Sequence, residues 1–350
     1  MRSKVMIRLI PLTVMAILCL SLAAQPARPQ RGSEQQRAAT ATFLDRQRPE
    51  TERLRAARLL GWPENKTFPL LLAVGADRAE SDAIRFAALY HHHRFSREWL
   101  DTILKILDDP NDGGAELDAK LTEELNRRIT FRLPPEVRQR ILTIWRKLLK
   151  DPRDRVRLAA FRALAANHDA VAVNQLDESL RRGSGIPIPI PDAIELLDLN
   201  GPVNHITALR PFLSHRDPAV QGRAARALAL DPESRPRIVE LATSASTAEE
   251  VRLHALRGLA REDQGFAAYA LPLLENVRED ADVRFAAMKA FVGRMNYNSV
   301  PAREQIRFAE AVERFAKERN LPPKILRQTA ETLVYLKQGF PEIQKHYEGR

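Results

Sequence analysis

The sequence predicts an all-α protein, an α-solenoid of stacked antiparallel helix pairs. Three observations predict it. First, Val156, Val220, Val251 and Val283 stand 64, 31 and 32 residues apart, single or double steps of one period near 32. Self-similarity at such a period is the mark of stacked repeats. Second, each valine opens an apolar stripe. After Val156 it runs through Ala159, Ala160, Ala163 and Leu164, and after Val283 through Ala286, Ala287, Ala290 and Phe291. Val220 is followed by Ala224, Ala227 and Leu228, and Val251 by Ala255, Gly258 and Leu259. Steps of three, four, seven and eight trace one face of an α-helix. Third, 14 Gly in 350 residues and 6% aromatics disfavour a turn-rich β protein.

The same pattern places the elements in order. Helices are expected near 50–60, 68–75, 80–92, 96–107, 115–128, 135–150 and 154–166. They continue near 170–182, 192–199, 203–213, 218–229, 234–244, 248–261, 265–278, 281–295, 301–318 and 322–338. Alanine-rich first helices alternate with second helices of larger apolar residues, such as Leu176, Leu180, Leu209, Leu213, Leu273 and Leu274. Small side chains let helix backbones approach, and each pair needs its neighbours for a core. Asp151-Pro152 and Asp217-Pro218 read as capping carboxylates followed by proline at the first helical position. Arg157, Arg252 and Arg284 follow three of the valines, and Gln221 follows the fourth. An arginine at the repeat period is expected to reach an acidic turn of the next repeat. The charged residues of 301–318 suit a terminal cap.

The stretch Asp151-Pro152-Arg153-Asp154-Arg155-Val156-Arg157-Leu158-Ala159-Ala160 resembles the HEAT repeat in its short form, found in PBS-lyase-like HEAT proteins. Asp217–Ala225 matches with Gln221 for the first Arg, while Asp280–Ala287 and Glu249–Ala255 lack the proline. Weaker copies stand at Leu54-Arg55-Ala56-Ala57 and Ile84-Arg85-Phe86-Ala87-Ala88. The clear resemblance covers 137–292. It implies an α-solenoid whose second helices line the concave side.

Residues 1–24 carry Arg2, Lys4 and Arg8, then an apolar run from Leu9 to Leu22, with no acid. That is the order of a secretory signal, with cleavage expected near Ala23 or Ala24. Residues 25–50 read as a flexible leader, 51–338 as the solenoid and 339–350 as a tail. The single Cys lies at position 19, inside the signal, which excludes a disulfide framework and a cysteine zinc site. The net charge of +10, with 44 of 55 cations being Arg, loses three cations with the signal and becomes +7. A mean hydropathy of −0.35 excludes a polytopic membrane protein.

Recognisable chemistry is sparse. His91, His92 and His93 point about 100° apart on a helix, whereas a helical metal pair needs a spacing of four. The Asp108–Gly114 loop is rich in carboxylates but misses the calcium-loop spacing. No nucleophile elbow, phosphate loop or Gly-rich fingerprint occurs. The HEAT-type di-iron hydroxylase needs His-Glu pairs, and no His here is followed by Glu. Bilin lyases and the HEAT-like DNA glycosylases resemble the repeats as well, but export argues against both. No catalytic, cofactor or metal residue is assigned, and no cofactor.

The sequence therefore points to an exported, periplasmic or extracellular scaffold that binds another protein, with no catalysis of its own. The partner is expected to be a protein, and it would be an acidic one if the Arg strip faces it; nucleic acid is disfavoured and a membrane surface is not preferred. An accessory protein or enzyme for cofactor or envelope assembly is one alternative. A binder of anionic lipid or glycan is another. Candidate partner-binding residues are Arg138, Arg181, Arg182 and Arg210, a cationic strip if they face one side. Ile186, Ile188 and Ile190 join them, from an Ile-Pro run that is read either as a packed strap or as a docking edge.

Overall fold

Alanine stripes and carboxylate or hydroxyl caps set helices where the period places them. The computed structural model of the chain describes residues 31–60, 65–91, 96–129, 133–261, 265–297 and 300–349. All regular structure among these residues is helical. Two compact units meet after Glu124.

The first unit holds α1 (Arg31–Leu44), α2 (Glu50–Ala57), α3 (Phe68–Ala76), α4 (Asp82–Tyr90) and α5 (Arg97–Asp108). Helix α6 (Ala115–Arg128) runs across the division. Ser81 and Ser96 cap α4 and α5, accepting from the Ile84 and Trp99 amides, which answers otherwise unpaired helix donors. Phe43, Leu60, Leu71, Ile84 and Ala88 form a common core. Helix α1 lies in the stretch expected as a flexible leader. Its Gln- and Arg-rich composition hides Ala39 and Phe43, four residues apart, both buried and packed with α2.

The second unit continues with α7 (Pro135–Leu148), α8 (Asp154–Ala166), α9 (Ala170–Arg182) and α10 (Ile190–Leu199). Short helical turns follow over 202–214. Then come α11 (Pro218–Ala227), α12 (Arg235–Thr243), α13 (Glu249–Leu259), α14 (Phe266–Glu275) and α15 (Ala281–Tyr297). Helices α16 (Ala302–Ala316), α17 (Pro323–Gly339) and α18 (Pro341–Glu348) complete it. Helix α18 falls in the expected tail and is held by buried Ile343.

From α8 onward the chain forms antiparallel pairs. The first helices α8, α10, α11, α13, α15 and α17 pack in one row, and the second helices in another. The first-helix row is the tighter of the two around α11 and α13, while α12 and α14 touch only lightly. Gly258 explains this: a Cβ there would sit 2.8 Å from the Arg226 Cα and carbonyl oxygen. The α11 backbone occupies the space that a side chain would need.

Alanine faces bury little area each, at about 25 cal/mol per Å², so apolar packing alone holds the register weakly. Buried arginines supply a directional lock. Arg252 Nε donates to the Ala242 carbonyl (3.3 Å), and its Nη atoms grip both oxygens of Glu279 at 2.7 and 2.5 Å. Arg284 does the same with the Leu274 carbonyl and Glu318. In the first unit Arg53 joins the Phe43 carbonyl to Glu80. Arg85 joins the Gly75 carbonyl to the Asp112 carboxylate. Each rung closes the end of the preceding helix and grasps the turn that leads to the next repeat.

This is the arginine ladder that the period predicts, with three differences. In α2 the rung is Arg53 and not Arg55, because Arg53, Ala56 and Ala57 share the buried face. Arg157 meets a strap without a carboxylate and donates to the Pro187 carbonyl (3.0 Å) and to the Asp151 and Pro152 carbonyls. Gln221 reaches only the Leu213 carbonyl. Of the two expected Asp-Pro caps, Asp217 caps α11 by accepting from the Ala219 amide. Asp151 instead closes the turn before α8, accepting from Arg153.

Candidate functional site

Six residues after each repeat valine stands a cation: Arg162, Arg226, Arg257 and Lys289. This offset lies on the first helices. Helix α10 is set into the same row without the valine motif and carries Asp192, Glu195 and Asp198 three residues apart, along one face. It neutralises its neighbours. Asp192 pairs with Arg162 at 2.9 Å, and Glu195 with Arg223. The buried Asp198 carboxylate accepts from Arg226 (3.1 Å) and also from Arg261 (2.7 and 3.0 Å), which lies two repeats further on.

Past that point the first helices α13, α15 and α17 carry no comparable row of carboxylates. A trough of about 910 Å³ opens over α13, α15 and α17. Leu253, Phe285, Ala286, Ala290 and Gly293 line its apolar part. Arg257, Arg261, Lys289, Arg294 and Lys324 line its charged part, with Asp282 as the lining carboxylate. Among the described residues no carboxylate forms an ion pair with Arg257, Lys289 or Lys324, all three exposed. Lys289 lies over the Phe285 ring at 5.6 Å, a contact that orients an ammonium group without neutralising it. A smaller hollow of about 280 Å³ continues the trough past Phe285 and Lys289 to Thr332 and Tyr335.

His254 sits beside the trough, half-buried between α11 and α13, with its Cδ2 3.0 Å from where a Gly222 Cβ would stand. Burial, then the positive charges of Arg257, Arg223 and Arg226, push its pKa below the usual histidine value, against a small opposing effect of Glu250. The ring is therefore kept neutral in a cationic neighbourhood.

The sequence-derived residues lie elsewhere and are dispersed. Arg138 is on α7, half-buried, with its guanidinium 3.5 Å from the Asn167 carbonyl. Arg181 is exposed at the end of α9 and pairs with Asp177 at 2.5 Å. Burial opposes ionisation of Asp177, but hydrogen bonds from Arg181 and His205 hold its carboxyl below the usual range. Arg182 is exposed. Arg210 grips Asp231 at 2.8 and 2.9 Å and also meets Glu233. In the strap before α10 Ile188 is buried and Ile186 half-buried, and Ile190, also half-buried, opens α10 itself. The trough thus lies on first helices, whereas the family resemblance implied a working face of second helices.

Other sequence features resolve locally. His91 ends α4, its amide bonded to the Ala87 carbonyl (3.1 Å), and His92 and His93 lie outside the described residues. Asp109 and Asp112 of the 108–114 loop are answered by Arg78, and Asp112 also by Arg85. Glu249, Asp280 and Asp282 lie within 4.8 Å of one another. All three are exposed, and Asp280 is occupied as a cap for the Asp282 and Val283 amides. We assign no metal to them.

The expected signal at 1–24 also lies outside the described residues. Among those described, no helix is long and apolar enough to cross a membrane.

The repeat, the ladder and the paired rows define an all-α helical-repeat protein. No family model matches the chain, and no curated protein matches it. Among solved structures it is similar to the complex of CpcE and CpcF of phycocyanin lyase from Nostoc sp. PCC7120. The match has 18% identity and a TM-score of 0.41 over 83% of this chain and 96% of that one. It corrects one expectation. The matched chain belongs to a phycocyanin lyase complex, and the expectation that this chain has no catalysis of its own is withdrawn. The likeness assigns no reaction to this chain.

Proposed function

We propose that this chain is an exported helical-repeat protein that binds another protein through the trough over α13, α15 and α17. One observation carries the reading. The first-helix cations Arg162 and Arg226 are neutralised internally, whereas among the described residues no carboxylate pairs with Arg257, Lys289 or Lys324. Exposed cations over an apolar floor fit an interface, in which apolar area supplies affinity and charge supplies steering. Arginine-locked repeats supply a rigid support for such a face. The charge order of residues 1–24 supports export.

The test is site-specific photo-crosslinking in cells that make the full chain. A photoreactive residue at Phe285, in the trough, is expected to trap a discrete protein adduct. The same residue at exposed Val171 on α9 is expected to trap none. N-terminal sequencing of the adduct reports whether residues 1–24 have been removed. Equal labelling from both positions would refute the trough as the binding face.

A further inference from the structure

The chain carries its own example of what satisfies its cation row. Helix α10 answers Arg162, Arg223 and Arg226 with Asp192, Glu195 and Asp198, three carboxylates repeated along one helical face. The same row continues with Arg257 and Lys289 at the repeat period, and α17 adds Lys324. The floor beneath these cations is small-residued: Ala286, Ala290 and Gly293. A Cβ on Gly293 would meet nothing within 4 Å, so open space stands above the helix there. Elsewhere in this unit, small residues are where one helix backbone seats against another, as Gly258 does on α11.

We propose that the trough takes an acidic amphipathic helix of a partner protein, with carboxylates about one turn apart that meet Arg257, Lys289 and Lys324. This rests on the interaction reading above and names the partner's chemistry. The helix supplies what α10 supplies upstream. Its apolar face lies toward Phe285 and the alanine floor. Carboxylates at helical spacing match cations presented by successive helices, which a point anion does not.

The experiment is fluorescence anisotropy with the full chain and two labelled helical peptides. One carries Glu at i, i+3 and i+7 beside a Leu/Ala face, and the other carries Gln at those positions. Wild type is expected to bind the Glu peptide and to lose affinity as salt rises. Lys289→Glu with Lys324→Glu is expected to weaken binding by about tenfold or more, since two charge contacts are lost and each reversal adds repulsion. Arg162→Gln removes a cation whose carboxylate is internal, and is expected to leave the affinity unchanged. Circular dichroism checks that each variant is folded.

Equal binding of the Gln peptide would overturn the proposal, as would full affinity in the double variant. Binding of single-stranded DNA or of phosphatidylglycerol vesicles, lost in the double variant while the Glu peptide fails to bind, would replace the helix with another polyanion. If the Phe285 adduct forms but the Glu peptide does not bind, the interaction reading stands and this inference falls.

Discussion

The α11–α13 seam and the α15–α17 seam are built on one plan and end in opposite states. At the first, Gly258 lets α13 settle onto the α11 backbone. Asp198 then ties both helices back to α10 through Arg226 and Arg261. At the second, α15 and α17 touch over a shorter length. The step from the start of α15 to the start of α17 is 42 residues, against 32 from α13 to α15. No helix with a row of carboxylates like that of α10 lies across this seam among the described residues, and Lys289 and Lys324 remain exposed. The difference shows that a repeat fixes its frame with buried arginines, while the residues six after each valine vary in what they meet.

Two arginines of α13 separate frame from face. Arg252 is buried with Glu279, whose carboxyl it holds below the usual range. Arg252→Met leaves that half-buried carboxylate without its cation, and is expected to lower stability by up to about 3 kcal/mol in urea unfolding. Arg257→Met, five residues along, removes an exposed side chain and is expected to change stability by less than about 0.5 kcal/mol. Similar losses from both would mean that the trough cations belong to the frame, and the contrast between the seams would collapse.

The next effect is smaller and opposite in sign at the two seams. Gly258→Ala places a methyl group against the Arg226 backbone and the Ala229 Cβ at 2.8 Å. Overpacking of this kind costs about 1–3 kcal/mol, which outweighs the gain of up to about 1 kcal/mol in helix propensity. Gly293→Ala meets open space and is expected to keep that gain. Thermal melts of both variants read the signs. A stabilised Gly258→Ala would show that the close seam is not set by this glycine.

The comparison also explains what the sequence could reveal. The helix pairs, the valine period and the rung arginines depend on spacing within a repeat, and their helix boundaries agree with the structure within a few residues for most elements. Helix α1 was hidden because only Ala39 and Phe43 mark its buried face. The trough was hidden for a different reason. Arg162, Arg226, Arg257 and Lys289 share one offset, which was visible, but their environments differ through what stands across from them some thirty residues away. Helix α10 brings three carboxylates to that row. Charge on second helices points to Arg138, Arg181, Arg182 and Arg210, but Arg181 and Arg210 meet local carboxylates.

The smallest expected effect lies at the border between the two seams. His254 packs against Gly222 with its ring kept neutral, by burial first and by Arg257, Arg223 and Arg226 second. Its folded pKa is therefore below the ordinary 6.5 that it regains on unfolding. A group depressed in this way makes the unfolded chain bind more protons, so stability is complete above pH 6.5 and falls as the pH drops through that value toward the folded pKa. His254→Gln removes the titration. The loss of urea midpoint between pH 7.5 and pH 5.5 is expected to be smaller in the variant than in wild type. Arg257→Met removes one of the repelling charges, brings the folded pKa closer to 6.5 and is expected to make the loss smaller than in wild type. If His254→Gln loses as much midpoint as wild type over that range, the acid sensitivity comes from the carboxylates of the ladder, and the closed seam has no pH dependence of its own.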